Sequence, residues 1–187
     1  MRITRVYTGK GDLGMTGLGD GTKVPKDHPR VVAYGSVDKA NSAIGCVRCE
    51  IDDDELGAVL ADVQHRLFDV GGVLCMPGMD TPEFIEMLQE RTGRMEALMD
   101  RWFELQGGLE NFILPGGCRA AASLHVGRCA VREAEQLVVT LHRDEPVHAA
   151  VLTYLNRLSD MLFVMAREVN RRSGVEDVTW KPATDRG

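Results

Sequence analysis

The fold is decided by residues 147–170, which read VHAAVLTYLNRLSDMLFVMAREVN. Apolar side chains recur in this stretch every three or four residues, which is the period of one face of an α-helix. Gly174 follows the pattern as a typical helix terminator, and Asp144-Glu145-Pro146 precedes it as an opening. The stretch therefore predicts a long helix that must bury one face. That face comprises Val147, Val151, Tyr154, Leu155, Leu158, Leu162, Met165, Ala166 and Val169.

Four more helical segments are predicted upstream of this one. They span about residues 31–51, 52–75, 81–105 and 119–143. Asp52, with Glu55 three residues later, predicts the capped start of the second segment, and Thr81-Pro82-Glu83 predicts the start of the third. Five helices joined by short connections predict an all-α, antiparallel, ferritin-like up-down bundle.

Length and composition agree with one helical domain. The chain has 187 residues, of which 44% are hydrophobic, 27% charged and only 5% aromatic. A core rich in Ala, Leu, Met and Val is more easily built from helices than from a sheet. We therefore expect a single domain over residues 1–187, with a glycine-rich extended arm at 1–27, the bundle at 28–173 and a tail at 174–187. The tail is predicted to form a short ordered strap before a frayed end.

The overall charge excludes several classes of partner. A formal net charge of -6 gives the whole molecule no attraction for nucleic acid or for an anionic membrane surface. The sequence has no apolar run of the roughly 18 residues that a membrane span requires, and its N-terminus lacks the apolar core of a signal peptide. We therefore expect a cytoplasmic protein.

The five cysteines are predicted to be reduced thiols. Their number is odd, and they lie mostly within helical patterns, unlike the paired cysteines of secreted scaffolds. Cys46 and Cys49 form a C-x-x-C, which without a second pair or a nearby histidine is interpreted as two small buried apolar residues. The others are Cys75, Cys118 and Cys129.

The arm contains a G-x-G-x-x-G pattern at Gly9, Gly11 and Gly14. A dinucleotide-binding interpretation fails, because that fingerprint needs a preceding strand and an immediately following helix, whereas here more glycines follow. Two alternatives remain. The arm is either a plain mobile segment or a loop whose backbone N–H groups cradle a polyphosphate. The side chains that could contact a polyphosphate beside these N–H groups are Thr8, Lys10, Thr16 and Lys26.

The fourth helix carries a polar face. Arg128, Arg132 and Glu135 recur at helical spacing, and His125 is predicted to extend the same face. Asn156 and Asp160 are similarly spaced on the last helix. Both sets have a simpler interpretation, an ion-pair ladder or ordinary surface polarity, so spacing alone indicates only a possible anion site.

A ferritin-like di-metal site is the competing chemistry for a helical bundle. It requires paired Glu-x-x-His motifs with further inward glutamates. The chain offers only Glu145-x-x-His148, beside a proline at a helix start, and the rough companion Asp62-x-x-His65. The pattern therefore disfavours a di-metal oxidase.

Five motifs in order resemble those of the PduO-type ATP:corrinoid adenosyltransferases. They are YTGKGDLGMTGLGDGTKVPKDHPR (7–30), AYGSVDKANSAIG (33–45), FILPGG (112–117), RCAVREAE (128–135) and YLNRLSDMLFVMARE (154–168). The resemblance covers nearly the whole chain and is more specific than any single glycine pattern. The chain departs from the family's usual Thr-Lys-Thr-Gly at Thr8-Gly9-Lys10-Gly11, where the lysine is displaced by one position.

The resemblance implies a fold and a set of site residues. It implies a five-helix homotrimer with active sites between subunits, where Arg128 pairs with Asp38 of an adjacent copy. The implied nucleotide-binding loop comprises Thr8, Gly9, Lys10, Gly11, Thr16, Gly17 and Lys26. Helical residues implied to hold the triphosphate, its Mg²⁺ and the nucleoside are Arg132, Glu135, Gln136 and Asn156, with Glu135 nearest the metal. Phe112 is implied to pack beneath the corrin.

The resemblance also implies a reaction. ATP and cob(I)alamin would give adenosylcobalamin and triphosphate, with a reductase supplying the cobalt(I) state and a B12-dependent enzyme accepting the product. Cobalt(I) is itself a strong nucleophile, so the protein needs to position the ATP 5′ carbon and stabilise the departing triphosphate. The alternative is a sensor or carrier bundle that binds ATP or corrinoid without catalysis.

Overall fold

The computed structural model describes Tyr7, Gly9 and residues 11–185. Within these residues a small β-hairpin precedes five α-helices, which confirms the helical bundle. The elements are β1 Met15–Gly17, β2 Lys23–Pro25, α1 Pro29–Arg48, α2 Asp54–Cys75, α3 Pro82–Leu105, α4 Arg119–Asp144 and α5 Ala149–Arg172, followed by a 3₁₀ turn at Ala183–Asp185. Thr8 and Lys10 of the predicted loop lie outside the described residues.

The hairpin is a feature that the sequence pattern did not predict. Met15 pairs with Pro25, Thr16 with Val24 and Gly17 with Lys23 in antiparallel register. Strands of three residues are too short to display the alternation by which a strand is recognised. The hairpin is attached to the end of α2, because the Gly19 amide donates to the Cys75 carbonyl at 2.9 Å.

Several predicted helix boundaries are corrected by the caps. The cap of α2 is Asp53 rather than Asp52, because the Asp53 side chain accepts the Leu56 amide. The last helix starts at Ala149, with His148 as its cap, and not at residues 144–146. Asp144 is instead the last residue of α4, Glu145 is the C-cap of α4, and Pro146 lies in the connection between the two helices.

The helices form a ring in the order α1, α2, α3, α5, α4. Neighbours run antiparallel except α3 and α5, where Glu96 bonds Arg157 and Gln106 bonds the Val164 carbonyl, so residue numbers rise together. The prediction of an antiparallel bundle is therefore wrong for this one pair. A cavity of about 320 Å³ separates α2 from α3.

One apolar core fills the ring. Its largest fully buried side chains include Trp102 of α3, Tyr154 of α5 and Ile44 of α1. Burying each such side chain contributes roughly 1.5–3 kcal/mol of transfer free energy. The second half of α5 is buried on nearly every side, so α5 contributes more buried side chains to the core than any other helix.

Charged groups are buried at the C-terminal end of α5. Glu168 is 0% exposed, and its carboxylate accepts bonds from Arg171 and Arg172 at 2.7–2.8 Å. Burial opposes ionisation of Glu168, but the two guanidinium groups outweigh that effect and hold its pKa below the ordinary value. A buried carboxylate is tolerated only when it is paired in this way.

Arg172 extends this cluster to the start of α2. It bonds Asp53 at 2.6 Å and Glu55 at 2.7 Å. The Leu56 amide and then Arg172 lower the pKa of Asp53, and Arg172 is the main cause of the lowered pKa of Glu55. One arginine therefore joins the first turn of α2 to the last turn of α5.

The cysteine prediction is partly corrected. All five cysteines are free thiols, but Cys46 and Cys49 are exposed rather than buried. They fall on the outer side of α1, whose buried positions in this turn are Ile44 and Val47. Among the described residues, no helix combines the length and the hydropathy needed to cross a membrane.

We expect Arg172→Gln to lower the free energy of unfolding by about 1–3 kcal/mol, since it removes charge-assisted bonds to three carboxylates. Arg171→Gln is the matched control, because Arg171 bonds Glu168 alone, and it should lose less than half as much. Urea unfolding at pH 7, followed by circular dichroism, measures both. Equal losses would contradict the linking role of Arg172.

The loss of stability caused by Arg172→Gln should depend on pH. Because folding lowers the pKa values of Asp53, Glu55 and Glu168, their stabilisation is complete above the ordinary values of 3.8 and 4.5. It is lost as the pH falls through the lowered values of the folded state. The free energies of unfolding of Arg172→Gln and the wild type should therefore become more similar as the pH is lowered.

Candidate active site

The predicted polar face of α4 contains a glutamate that is fixed by a hydrogen bond from α5. Glu135 is half-buried, and its Oε1 accepts a bond from Asn156 Nδ2 of α5 at 3.0 Å. Arg132 and Gln136 are exposed beside it. Arg132 forms no ion pair with any described residue, so its guanidinium is available to an anion.

The ion-pair-ladder interpretation fails for this face. Glu133 points toward α1, where it pairs with Lys39 at 2.6 Å, and takes no part in the face that holds Arg132. Arg128 is half-buried, with its Nε unbonded and its Nη2 near Cys129 Sγ at 3.4 Å. Arg128 is thus partly buried without an ion pair to any residue that the structure describes.

His125 does not extend the exposed face, which corrects the sequence prediction. It is 4% exposed and makes an edge contact with the Phe163 ring at 6.0 Å between centroids. Burial, aided by the charge of Arg128, lowers the pKa of His125. The helical spacing placed it near Arg128, but the core lies on that side of α4.

Asp38 lies on the side of the α1/α4 pair that is opposite to the α4 face carrying Arg132 and Glu135. It is exposed and lines a cavity of about 620 Å³ together with Tyr34, Asn41 and Phe68. This cavity opens between α1 and α2, whereas Glu135 faces α5. The structure of one chain therefore does not bring Asp38 and Arg128 into contact.

The arm sits beside the Asp38 cavity. Burial raises the pKa of Tyr34 on α1, and a hydrogen bond between this tyrosine and Thr16 of the arm opposes the rise only in part. Lys26 extends over the glycine turn, since a side chain on Gly11 would lie 3.1 Å from Lys26 Nζ. Gly9 and Gly14 adopt the left-handed φ values +69° and +78° that favour glycine.

The described part of the arm places a lysine amine beside a glycine turn. Lys26, Gly11, Thr16 and Gly17 are brought together around the hairpin. No hydrogen bond or ion pair joins the described residues 11–27 to α4. The arm and the Arg132 face belong to different surfaces of one chain.

Phe112 lies at the opposite end of the bundle from the hairpin, on the linker between α3 and α4. Its side chain is 78% exposed. Its carbonyl accepts the Trp180 amide at 2.7 Å, and the Leu114 amide donates to the Val178 carbonyl at 2.8 Å. The predicted tail strap is therefore present, and it pairs with the linker.

The residues considered for a di-metal site have other roles. Glu145 pairs with Arg30, and His148 caps α5. Asp62 lies within 3.7 Å of both Arg66 and Arg91. No group of three or more histidine, cysteine or acidic side chains with metal-binding geometry occurs in the part of the chain that the structure describes.

Sequence reasoning missed two features of the site. The Glu135–Asn156 bond joins helices whose polar positions were noted separately. Tyr34 and Phe68 line the cavity beside Asp38 but carry no signal in the sequence, because tyrosine and phenylalanine on an amphipathic helix are ordinarily core residues.

Comparison with known proteins identifies the family. The sequence model of the cobalamin adenosyltransferases matches residues 6–169. A cobalamin adenosyltransferase of Cupriavidus metallidurans is 42% identical, with 96% of each chain aligned. A corrinoid adenosyltransferase of Bacillus subtilis is 40% identical over 95% of this chain and 92% of its own.

Solved structures give the same result. A variant of the PduO-type ATP:corrinoid adenosyltransferase from Lactobacillus reuteri, complexed with cobalamin and ATP, is 33% identical and superposes with a TM-score of 0.88. That alignment covers 95% of this chain and all of the other. Another variant of it, complexed with ATP, is 35% identical with a TM-score of 0.87 and covers 94% of this chain and 100% of its own. By sequence and by fold, over almost its full length, the chain belongs to the cobalamin adenosyltransferase family.

Proposed function

We propose that this protein transfers the 5′-deoxyadenosyl group of ATP to the cobalt(I) of a corrinoid and releases triphosphate. The observation that carries the proposal is the match, over 95% of the chain, to a corrinoid adenosyltransferase complexed with both cobalamin and ATP. The unpaired Arg132 beside the Glu135–Asn156 bond supports it, because the leaving group is a highly charged anion.

The reaction is a displacement at carbon. The cobalt(I) electron pair forms the Co–C bond to C5′, the C5′–O5′ bond breaks, and its electrons remain on the triphosphate oxygen. No general base is required. The protein must therefore hold the nucleotide in line and stabilise negative charge on the leaving oxygen.

Arg132 and Lys26 are the side chains suited to that charge. Arg132 presents a planar guanidinium that has no ion pair with the described residues, and Lys26 adds an amine beside the N–H groups of the glycine turn at Gly11. Thr8, Gly9, Lys10, Thr16 and Gly17 complete the proposed loop. Removing one such donor typically costs about 3–4 kcal/mol of barrier.

Glu135 is the carboxylate that fits a nucleotide-bound Mg²⁺. Its Oε1 is held by Asn156, which leaves Oε2 available, and Mg²⁺ with a nucleotide usually takes only one or two carboxylates besides phosphate oxygens and water. Bound there, Mg²⁺ would neutralise triphosphate charge. Gln136 and Asn156 would contact the nucleoside.

Two copies of the chain are needed to complete this site. Asp38 and the arm lie on one flank of the α1/α4 pair, and Arg128 and Arg132 lie on the other. We therefore infer that Asp38 of one copy pairs with Arg128 of the next, which repeats around a homotrimer. The reaction further implies a reductase that supplies cobalt(I) and a B12-dependent enzyme that accepts the product.

The product assay tests the function directly. Incubation of the protein with ATP and chemically reduced cobalamin should yield adenosylcobalamin and free triphosphate in equal amounts, measured by absorbance and chromatography. Heat-denatured protein is the control. Binding of ATP or cobalamin with neither product formed would instead identify a sensor or carrier.

We expect Phe112→Ala to lower turnover at least tenfold while changing ATP affinity less than twofold. The exposed ring would exclude water and the lower axial ligand from cobalt, which leaves four-coordinate cobalt that is easier to reduce. Turnover with cobalamin and the dissociation constant of ATP are measured in parallel. Unchanged turnover would refute this role.

The proposed subunit pair is tested by exchanging charges. Asp38→Arg and Arg128→Asp should each reduce both the solution mass and the activity, because truncating or reversing one partner of such a pair costs roughly 2–5 kcal/mol. The double exchange should restore both in part. Sedimentation in the ultracentrifuge measures the mass.

Arg94→Glu is the control for this exchange, because Arg94 is an exposed residue of α3 that pairs with Glu90 of its own helix. It should leave the mass unchanged. If both single variants at Asp38 and Arg128 keep the wild-type mass, the proposed pairing is wrong.

A further inference from the structure

The cavity of about 320 Å³ between α2 and α3 is separate from the site proposed above. It shares no lining residue with the cavity beside Asp38. Its volume falls at the lower end of the range of about 300–1,000 Å³ that is typical of small-molecule pockets. Most of its wall is apolar. The apolar lining comprises Ala58, Val59, Val63, Met95 and Leu98.

The two helices contact each other beyond both ends of this cavity. On one side, Arg66 Nη1 of α2 lies 3.3 Å from Met87 Sδ of α3. On the other side, Arg101 of α3 bonds Glu55 of α2. Between these contacts the apolar faces of α2 and α3 do not meet. Because native interiors contain few voids larger than a water molecule, this gap indicates a place for a ligand.

One end of the cavity carries charged groups. Asp62 Oδ2 and Arg91 Nη1 are 3.7 Å apart, which is too long for a direct hydrogen bond. Arg91 Nε is buried and has no hydrogen-bond partner among the described residues. A guanidinium N–H can only donate, so this group requires an acceptor.

Tyr154 of α5 provides a second donor at the same end. The residue lines the cavity and is 1% exposed, and its hydroxyl forms no hydrogen bond with any residue that the structure describes. The charges of Asp62, Arg66 and Arg91 all act on this hydroxyl, which places it toward the charged end. Burial raises the pKa of Tyr154, so the hydroxyl keeps its proton and remains a donor.

A carboxylate with an apolar body fits both parts of the cavity. Its oxygens would accept bonds from Arg91 and Tyr154, and bonds between an arginine and a carboxylate are among the strongest that proteins form. Arg66, 3.7 Å from Asp62, offsets the charge of that aspartate. Water alone fits less well, because a buried water needs two to four polar partners and the apolar lining offers none.

We propose that the cavity between α2 and α3 binds a small amphipathic carboxylate. Its head group contacts Arg91 and Tyr154, and its aliphatic chain packs between the apolar faces of α2 and α3. None of the residues assigned above to ATP, the corrin or the subunit contact lines this cavity. Occupancy of the cavity is therefore separable from the transfer reaction.

Octanoate is the probe, titrated into the whole chain by isothermal calorimetry without ATP or cobalamin. One octanoate should bind per chain. Arg91→Met should raise its dissociation constant roughly tenfold and Tyr154→Phe roughly fivefold, since each removes a hydrogen bond to a charged head group. Both substitutions nearly preserve side-chain volume, and circular dichroism checks that the variants fold.

Two other ligands separate the contributions of head group and chain. Octylamine, which has the same chain and the opposite charge, should bind at least tenfold more weakly than octanoate. Butanoate should also bind at least tenfold more weakly, because it buries fewer methylene groups. Octanoate should further raise the unfolding temperature of the wild type, since a ligand of the folded state stabilises that state.

The matched controls are Tyr34→Phe and Arg132→Met. They repeat the two substitutions in the Asp38 cavity and on the exposed face of α4, which are the other places where octanoate could bind. Both should keep the wild-type affinity for octanoate. Absence of binding to the wild type at millimolar octanoate, or unchanged affinity in both Arg91→Met and Tyr154→Phe, would overturn the assignment.

Discussion

The structure depends on the neutralisation of charge at the C-terminal end of α5. Glu168 has no contact with solvent, and it stays ionised because Arg171 and Arg172 donate to it. Arg172 also binds the first turn of α2. The same turns of α5 supply Arg167 and Asn170, which donate to the Gly108 and Gly116 carbonyls of the linker and to Asp177 of the tail. The buried polar groups at this end of α5 are thus satisfied by bonds that also hold the first turn of α2, the linker and the tail in place.

The proposed site has parts that α5 holds in place and parts whose charged groups lack a partner. The linker that carries Phe112 and the tail that pairs with it are both held by buried side chains of α5. Arg132 and Asp38, in contrast, have no charged partner among the described residues, and they lie on opposite flanks of the α1/α4 pair. Such unpaired charges are stable at an exposed surface. They become strong contacts only when a nucleotide or another copy of the chain removes them from water.

Periodicity predicted the helices well and their ends less well. The boundaries of α3 were correct because Thr81 and Pro82 leave few alternatives for a helix start. The predicted start of α5 was wrong because acidic residues before a proline resemble a helix opening, whereas here Asp144 is the last residue of α4 and Glu145 is its C-cap. His125 was assigned to the polar face because spacing fixes only the angle around a helix. Which side of α4 the core takes depends on the neighbouring helices.

The sequence by itself determined the helical class, the glycine arm, the Arg128, Arg132 and Glu135 spacing, and the resemblance that assigns the reaction. These are local or motif-borne properties, carried by residues close together along the chain. Only the tertiary structure decided that Glu135 meets Asn156, that the tail pairs with the Phe112 linker, and that Asp38 faces away from Arg128. Each of these joins residues far apart in sequence, and their approach is set by how the helices pack, which no local pattern encodes.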